Sequence, residues 1–126
     1  MPQNPNPVCP LYIGGTWTTP DGLENASVYN PSRGSVIATV PMCGAEHVNQ
    51  AVAAAKRAFP AWRDTPPNER AQVLFRLKIL LEDAFDELCL GISIEHGKTL
   101  SEARGDLRRG IEVVEFACGI PSLLMG

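Results

Sequence analysis

Four cysteines, two histidines and a cluster of arginines are the side chains of this 126-residue sequence best suited to chemistry. A cysteine thiolate attacks a carbonyl carbon when a nearby cation or helix N-terminus depresses its pKa. Cys9, Cys43, Cys89 and Cys118 lie far apart, however, and no Cys-x-x-Cys pair offers a zinc site or a disulfide framework. Cys89 and Cys118 fall at core-like positions of predicted helices, where a thiol is a small buried hydrophobe. All four read as reduced thiols. His47 and His96 have no second ligand at metal spacing and read as exposed. Gly14-Gly15 would cradle phosphate only ahead of a helix. Thr16-Trp17-Thr18 is strand-like instead, so the glycines read as a hairpin turn.

The guanidinium groups of Arg104, Arg108 and Arg109 are the remaining candidates. A guanidinium fork, such as that of Arg109, can pair both oxygens of a carboxylate. The plainer reading is a surface pair with Glu112 or Asp106, which is what spacing alone favours. Arg104 and Arg108 read as a solvated helix face.

These residues depend on the elements that carry them. Residues 11–19, LYIGGTWTT, predict a hairpin across Gly14-Gly15. Strands at 27–30 and 36–40 follow, separated by the Asn30-Pro31 turn through Gly34 and stopped by Pro41. From Gly44 the apolar period becomes helical: Val48, Val52, Ala55 and Phe59 share a stripe that Pro60 ends, with Trp62 anchoring the connection in the core. Thr65-Pro66-Pro67 predicts the cap of a second, longer helix, which Gly97 closes. Thr99-x-x-Glu102 has capping-box form and opens a third, interrupted by Pro121. The expected fold is an α+β arrangement: a β-hairpin and meander over 11–41, then three α-helices over 44–126.

The second helix is apolar beyond one stripe. Leu74, Leu77, Leu81, Leu88 and Ile92 mark one face, and Val73, Phe75, Ile79, Leu80 and Phe85 widen it. Leaving roughly 400 Å² of such surface in water forgoes ~10 kcal/mol. That rivals the about 5–15 kcal/mol stability of a whole domain. The helix therefore expects protein that this polypeptide does not supply, whether more chain or another subunit.

Bulk properties exclude several classes. A composition 44% hydrophobic and 20% charged argues against wholesale disorder. The net charge of -3 offers no electrostatic footprint for nucleic acid. No apolar run is long enough to span a membrane. Residues 1–10 have no cationic segment followed by an apolar one, so they read as a solvated, disordered tail rather than a secretory signal.

In wording and order the sequence resembles the aldehyde dehydrogenase superfamily. YIGGTW, VYNPSRGSVIATVP, AVAAAKRAFPAWRDTPPNERAQVL and ISIEHGKTLSEARGD occur in that sequence, and the resemblance covers 11–126. Arg-Gly-Ile-Glu-x-Val-Glu, then Ser-Leu-x-Met-Gly, matched from Arg109 to Gly126, resembles the CoA-acylating methylmalonate-semialdehyde branch. The resemblance implies an N-terminal portion of the aldehyde dehydrogenase fold, α/β in the full-length parent, whose helical part flanks the cofactor-binding domain. It implies oxidation of malonate or methylmalonate semialdehyde with NAD, and acyl transfer to CoA, by a homo-oligomeric parent. The nucleophile and cofactor segments of that family lie downstream, so no catalytic or cofactor-binding residue and no bound cofactor or metal is expected here. Arg109 matches the arginine that receives the substrate carboxylate. A cytoplasmic or mitochondrial-matrix location is expected. The alternatives are a non-acylating semialdehyde dehydrogenase and an interaction module that binds partners or itself through exposed helix faces.

Overall fold

Gly14 and Gly15 adopt φ angles of 61° and 85°, the left-handed pair that a two-residue hairpin turn needs. In the computed structural model, which describes residues 6–126, they join β1 (Leu11–Ile13) to β2 (Thr16–Thr18). Tyr12 and Trp17 are opposed across this ladder, with ring centroids 4.7 Å apart. β3 (Asn25–Asn30) and β4 (Ser35–Pro41) form a second antiparallel pair with a register shift after Val28. Asn30 builds their turn: its Oδ1 accepts from Ser32 N and Arg33 N at 3.0 and 3.2 Å. Gly34 supplies the positive φ that closes it.

The strands are two separate two-stranded sheets rather than one meander. Pro20, which has no N–H to donate, and Gly22 at φ 75° interrupt any continuation from β2 to β3. The disordered tail expected over 1–10 is corrected for its second half. Cys9 N donates to Thr39 O, and Thr39 N donates to Pro7 O, at 2.8 and 2.9 Å. A parallel bridge between Val8 and Thr39 thus gives this segment the backbone partners its prolines do not deny it. Residues 1–5 lie outside the described residues.

Among the described residues there are five helices: α1 (Ala45–Asp64), α2 (Pro67–Asp83), α3 (Phe85–His96), α4 (Leu100–Cys118) and α5 (Ile120–Leu123). The described residues divide into two compact units, one ending at Pro60 and one running Ala61–Gly126. Within the first, the β1–β2 turn faces the alanine side of α1 across an open groove of about 620 Å³.

Three helix boundaries differ from expectation. α1 continues past Pro60 to Asp64. Proline forfeits only its own donor, and Thr65 satisfies the end by donating both N–H and Oγ1 to Ala61 O. Thr65 is therefore spent on α1, and Pro66 occupies the cap position of α2. The long second helix is divided at Ala84, where ψ is 12°. No glycine or proline forces this break. The two halves pack separately on α4, and that tertiary contact sets the division. At the end of the chain, Gly119 caps α4 and Pro121 lies in the first turn of α5, so the helix stops and restarts.

The core of the second unit consists of Ala71, Cys89, Ala103, Ile111 and Cys118, where α4 meets α2 and α3. These are mostly small side chains. Leu74 and Leu81 of α2 are half-buried, while five of its larger apolar groups stay exposed in two stripes: Val73, Leu77 and Leu80 at helical spacing, and Phe75 with Ile79 on the other side. Trp62 is exposed rather than buried, because the groove it lines is open. No described helix is long and apolar enough to cross a membrane.

Candidate functional site

The junction between α3 and α4 positions the charged residues. Gly97 takes the left-handed conformation that ends α3, and its N–H donates to Ser93 O. Ser93 Oγ then donates to the carbonyl of Lys98 at 2.8 Å, fixing that residue against the helix end. Thr99 and Glu102 form the capping box, Glu102 N donating to Thr99 Oγ1 and Thr99 N to Glu102 Oε2. These bonds to Thr99 hold the Glu102 carboxyl below its ordinary range.

One turn further, Asp106 accepts from two cations. Lys98 Nζ donates to its Oδ2 and Arg109 Nη2 to its Oδ1. The Lys98 ammonium, more than any other neighbour, holds the Asp106 carboxyl below the usual carboxylate range. Lys98, at 21% exposure, is the most covered of the ion-paired side chains among the described residues, and Asp106 is 33% exposed. Arg109, at 73%, stands in the open. Among the described residues only its Nη2 is engaged, leaving the Nε and Nη1 protons for another acceptor.

Arg109, Val113 and Phe116 follow one another at four and three residues, which places them on one face of α4. Val113 and Phe116 are 68% and 70% exposed. The opposite face carries Ala103, Ile111 and Cys118 into the core. A guanidinium fork beside an apolar strip is complementary to a small molecule with a carboxylate at one end and an uncharged remainder.

Arg104 and Arg108 are exposed, as expected of a solvated helix face, and in addition they link helices. Arg108 forms two parallel bonds with Glu82 on α2 and lies 4.7 Å over the Phe85 ring. Arg104 donates to Asp86 on α3 at 3.1 Å. Lys78 pairs with Glu115 at 3.3 Å. A signal for this was present: Glu82 and Asp86 are four apart, as are Arg104 and Arg108, and the two pairs meet in antiparallel register. Spacing within each helix had to be read against its neighbour.

Of the cysteines, Cys89 and Cys118 are buried, Cys43 is half-buried and Cys9 is exposed. His96 is exposed, whereas His47 is half-buried with its Nδ1 shielded and unbonded among the described residues. A second feature sequence reasoning missed is an apolar groove of about 440 Å³. Trp62, Arg70, Leu74, Ile120 and Leu124 are among its lining residues. Arg70 Nε is shielded there without a hydrogen-bond partner among the described residues.

Known proteins align with this arrangement. Residues 17–126 match the sequence profile described as the aldehyde dehydrogenase family. A malonate-semialdehyde dehydrogenase of Bacillus pumilus is 46% identical over 115 residues, which cover 91% of this chain and 24% of that protein. The crystal structure of a methylmalonate-semialdehyde dehydrogenase from Oceanimonas doudoroffii superposes with a TM-score of 0.85 at 46% identity. That match covers 90% of this chain and 23% of the other. A Sinorhizobium meliloti structure, described as a methylmalonate-semialdehyde dehydrogenase complexed with NAD, gives 0.83 at 39% identity, covering 89% and 23%. The chain thus spans about a quarter of the length of the relatives it matches. With the family profile matched over residues 17–126, most of its length, this chain belongs to the aldehyde dehydrogenase family.

Proposed function

We propose that this chain is the N-terminal portion of an NAD-dependent, CoA-acylating malonate- or methylmalonate-semialdehyde dehydrogenase. Arg109 receives the carboxylate of the semialdehyde in the complete enzyme. The observation that carries this reading is the open guanidinium of Arg109 on the same face of α4 as Val113 and Phe116. An acidic semialdehyde has the matching polarity: an anionic end for the fork and a short apolar stretch for the strip. Relatives named for malonate and methylmalonate semialdehydes support the substrate class. A related structure complexed with NAD supports the cofactor.

In the complete enzyme bound NAD would supply the hydride acceptor and CoA the acyl acceptor. The contribution of this chain is binding and orientation. Arg109 holds the carboxylate end, and the apolar strip keeps water from the rest of the substrate. The helical part of this chain flanks the cofactor-binding domain, the parent is a homo-oligomer, and the 126 residues alone are inactive.

The test is kinetic and uses the full-length protein that contains this chain. Arg109→Leu is expected to lower kcat/KM for malonate semialdehyde by at least about tenfold while sparing an uncharged aldehyde. An unchanged kcat/KM for the acidic substrate would falsify the assignment. The acceptor is read by supplying CoA or water alone: acyl-CoA formation supports the acylating branch, and free acid as sole product the non-acylating one.

A second reading is favoured by the exposed stripes on α2. There the chain is an interaction module that self-associates, or binds a full-length relative, through Val73, Leu77, Leu80, Phe75 and Ile79. Light scattering on the 126-residue chain distinguishes the outcomes. A dimer or larger species supports contact through these faces, and a well-behaved monomer counts against it.

A further inference from the structure

Arg109 has an electrostatic difficulty as a receptor for an anion. Its nearest partner, Asp106, is already an anion. Taken alone, the two residues are neutral, and the carboxylate of Asp106 would repel an incoming one at short range. An arginine paired in this way is normally a closed surface contact.

Lys98 removes the difficulty. It donates to the other oxygen of the same carboxylate and is the least exposed of the three side chains. Its position is built rather than incidental: Gly97 turns the chain, and Ser93 Oγ holds the Lys98 carbonyl. The covered pair therefore neutralises Asp106 from behind, and the trio keeps one positive charge located on the exposed guanidinium. Asp106 tethers Nη2 through one of its two protons, so the second Nη2 proton remains to form a two-point fork with Nη1 or Nε.

Resting on the reading of Arg109 as the carboxylate site, we infer that Lys98 is a specificity-determining positioning residue. It compensates the charge of Asp106 so that Arg109 can be both oriented and available to acidic aldehydes. Lys98 does not touch the substrate. It acts through Asp106, and its effect falls on the binding of anionic substrates alone.

The prediction is tested in the full-length protein with malonate semialdehyde and with propanal, an uncharged aldehyde of the same length. Lys98→Met is expected to raise KM for the semialdehyde roughly fivefold, with kcat and the propanal KM unchanged. Adding Asp106→Asn removes the uncompensated carboxylate, so the double variant is expected to return to the wild-type KM. Lys98→Arg keeps the charge and is expected to behave as wild type.

The outcomes separate the two readings. If Arg109→Leu leaves the semialdehyde KM unmoved, the underlying assignment of Arg109 fails. If Arg109→Leu raises it and Lys98→Met does not, the inference about Lys98 fails alone. An equal rise for propanal marks a purely structural role and also overturns it. Should Lys98→Met not fold, the double variant decides, because it leaves no unpaired carboxylate. A wild-type KM supports the inference, and a raised one overturns it.

Discussion

Arg108 on α4 meets Glu82 on α2 through two parallel hydrogen bonds, 2.6 and 3.1 Å long. This is the fork geometry in which a guanidinium holds a carboxylate most specifically. The bond from Arg108 is the foremost cause that lowers the Glu82 pKa from its ordinary 4.5, and the same partnership raises that of Arg108. A carboxylate whose pKa is depressed by folding stabilises the fold above its unfolded pKa. That contribution is lost as pH falls through the folded value. Thermal unfolding of wild type and Glu82→Gln is therefore expected to differ most above pH 4.5, and the gap should close as the pH drops below it. A gap independent of pH would show that the pair contributes no linkage.

The capping box at the start of α4 gives a second expectation. Thr99→Ala removes the acceptor for Glu102 N. The expected loss is about 1 kcal/mol in denaturant unfolding, with most of it recovered by Thr99→Ser. An alanine variant as stable as wild type would mean that packing alone fixes the helix start.

Ile111 and Val113 sit two residues apart on opposite faces of α4. Ile111 is 1% exposed and is the largest fully buried side chain among the described residues. Ile111→Ala is expected to cost about 2–5 kcal/mol, as cavity-forming changes do. Val113→Ala, on the exposed face, is expected to stay within about 0.5 kcal/mol. Equal effects in equilibrium unfolding would contradict the face assignment.

Thiol reactivity follows burial. Cys9 is expected to react first with a thiol-specific reagent, and the half-buried Cys43 more slowly. Cys89 and Cys118 should react only as the helices unfold. Rapid labelling of all four in the native chain would contradict the packing of α4 on α2 and α3.

The local elements with strong stereochemical punctuation were legible. Gly14-Gly15, Asn30-Pro31, Gly97 and the Thr99–Glu102 box each dictate a backbone conformation through residues a few positions apart. The surplus of apolar groups on the second helix was legible too, and Leu80 and Ile79 are indeed exposed. Arg109 was legible as a candidate only through its family wording, since its spacing to Asp106 equally describes an ordinary surface pair.

What the amino-acid order determined by itself was therefore local: turn geometry, caps, helix periods and an α+β succession. Pro60 misled because one missing donor costs less than the helical turn that follows can recover. Tertiary structure alone decided the division of the second helix at Ala84 and the recruitment of Arg104 and Arg108 between helices. It also brought Lys98 behind Asp106. Those relationships join residues eight to twenty-six positions apart, and helices must pack before such side chains come within bonding distance. Short-range sterics act within a turn, but charge pairing between elements waits on the packing that sets their register.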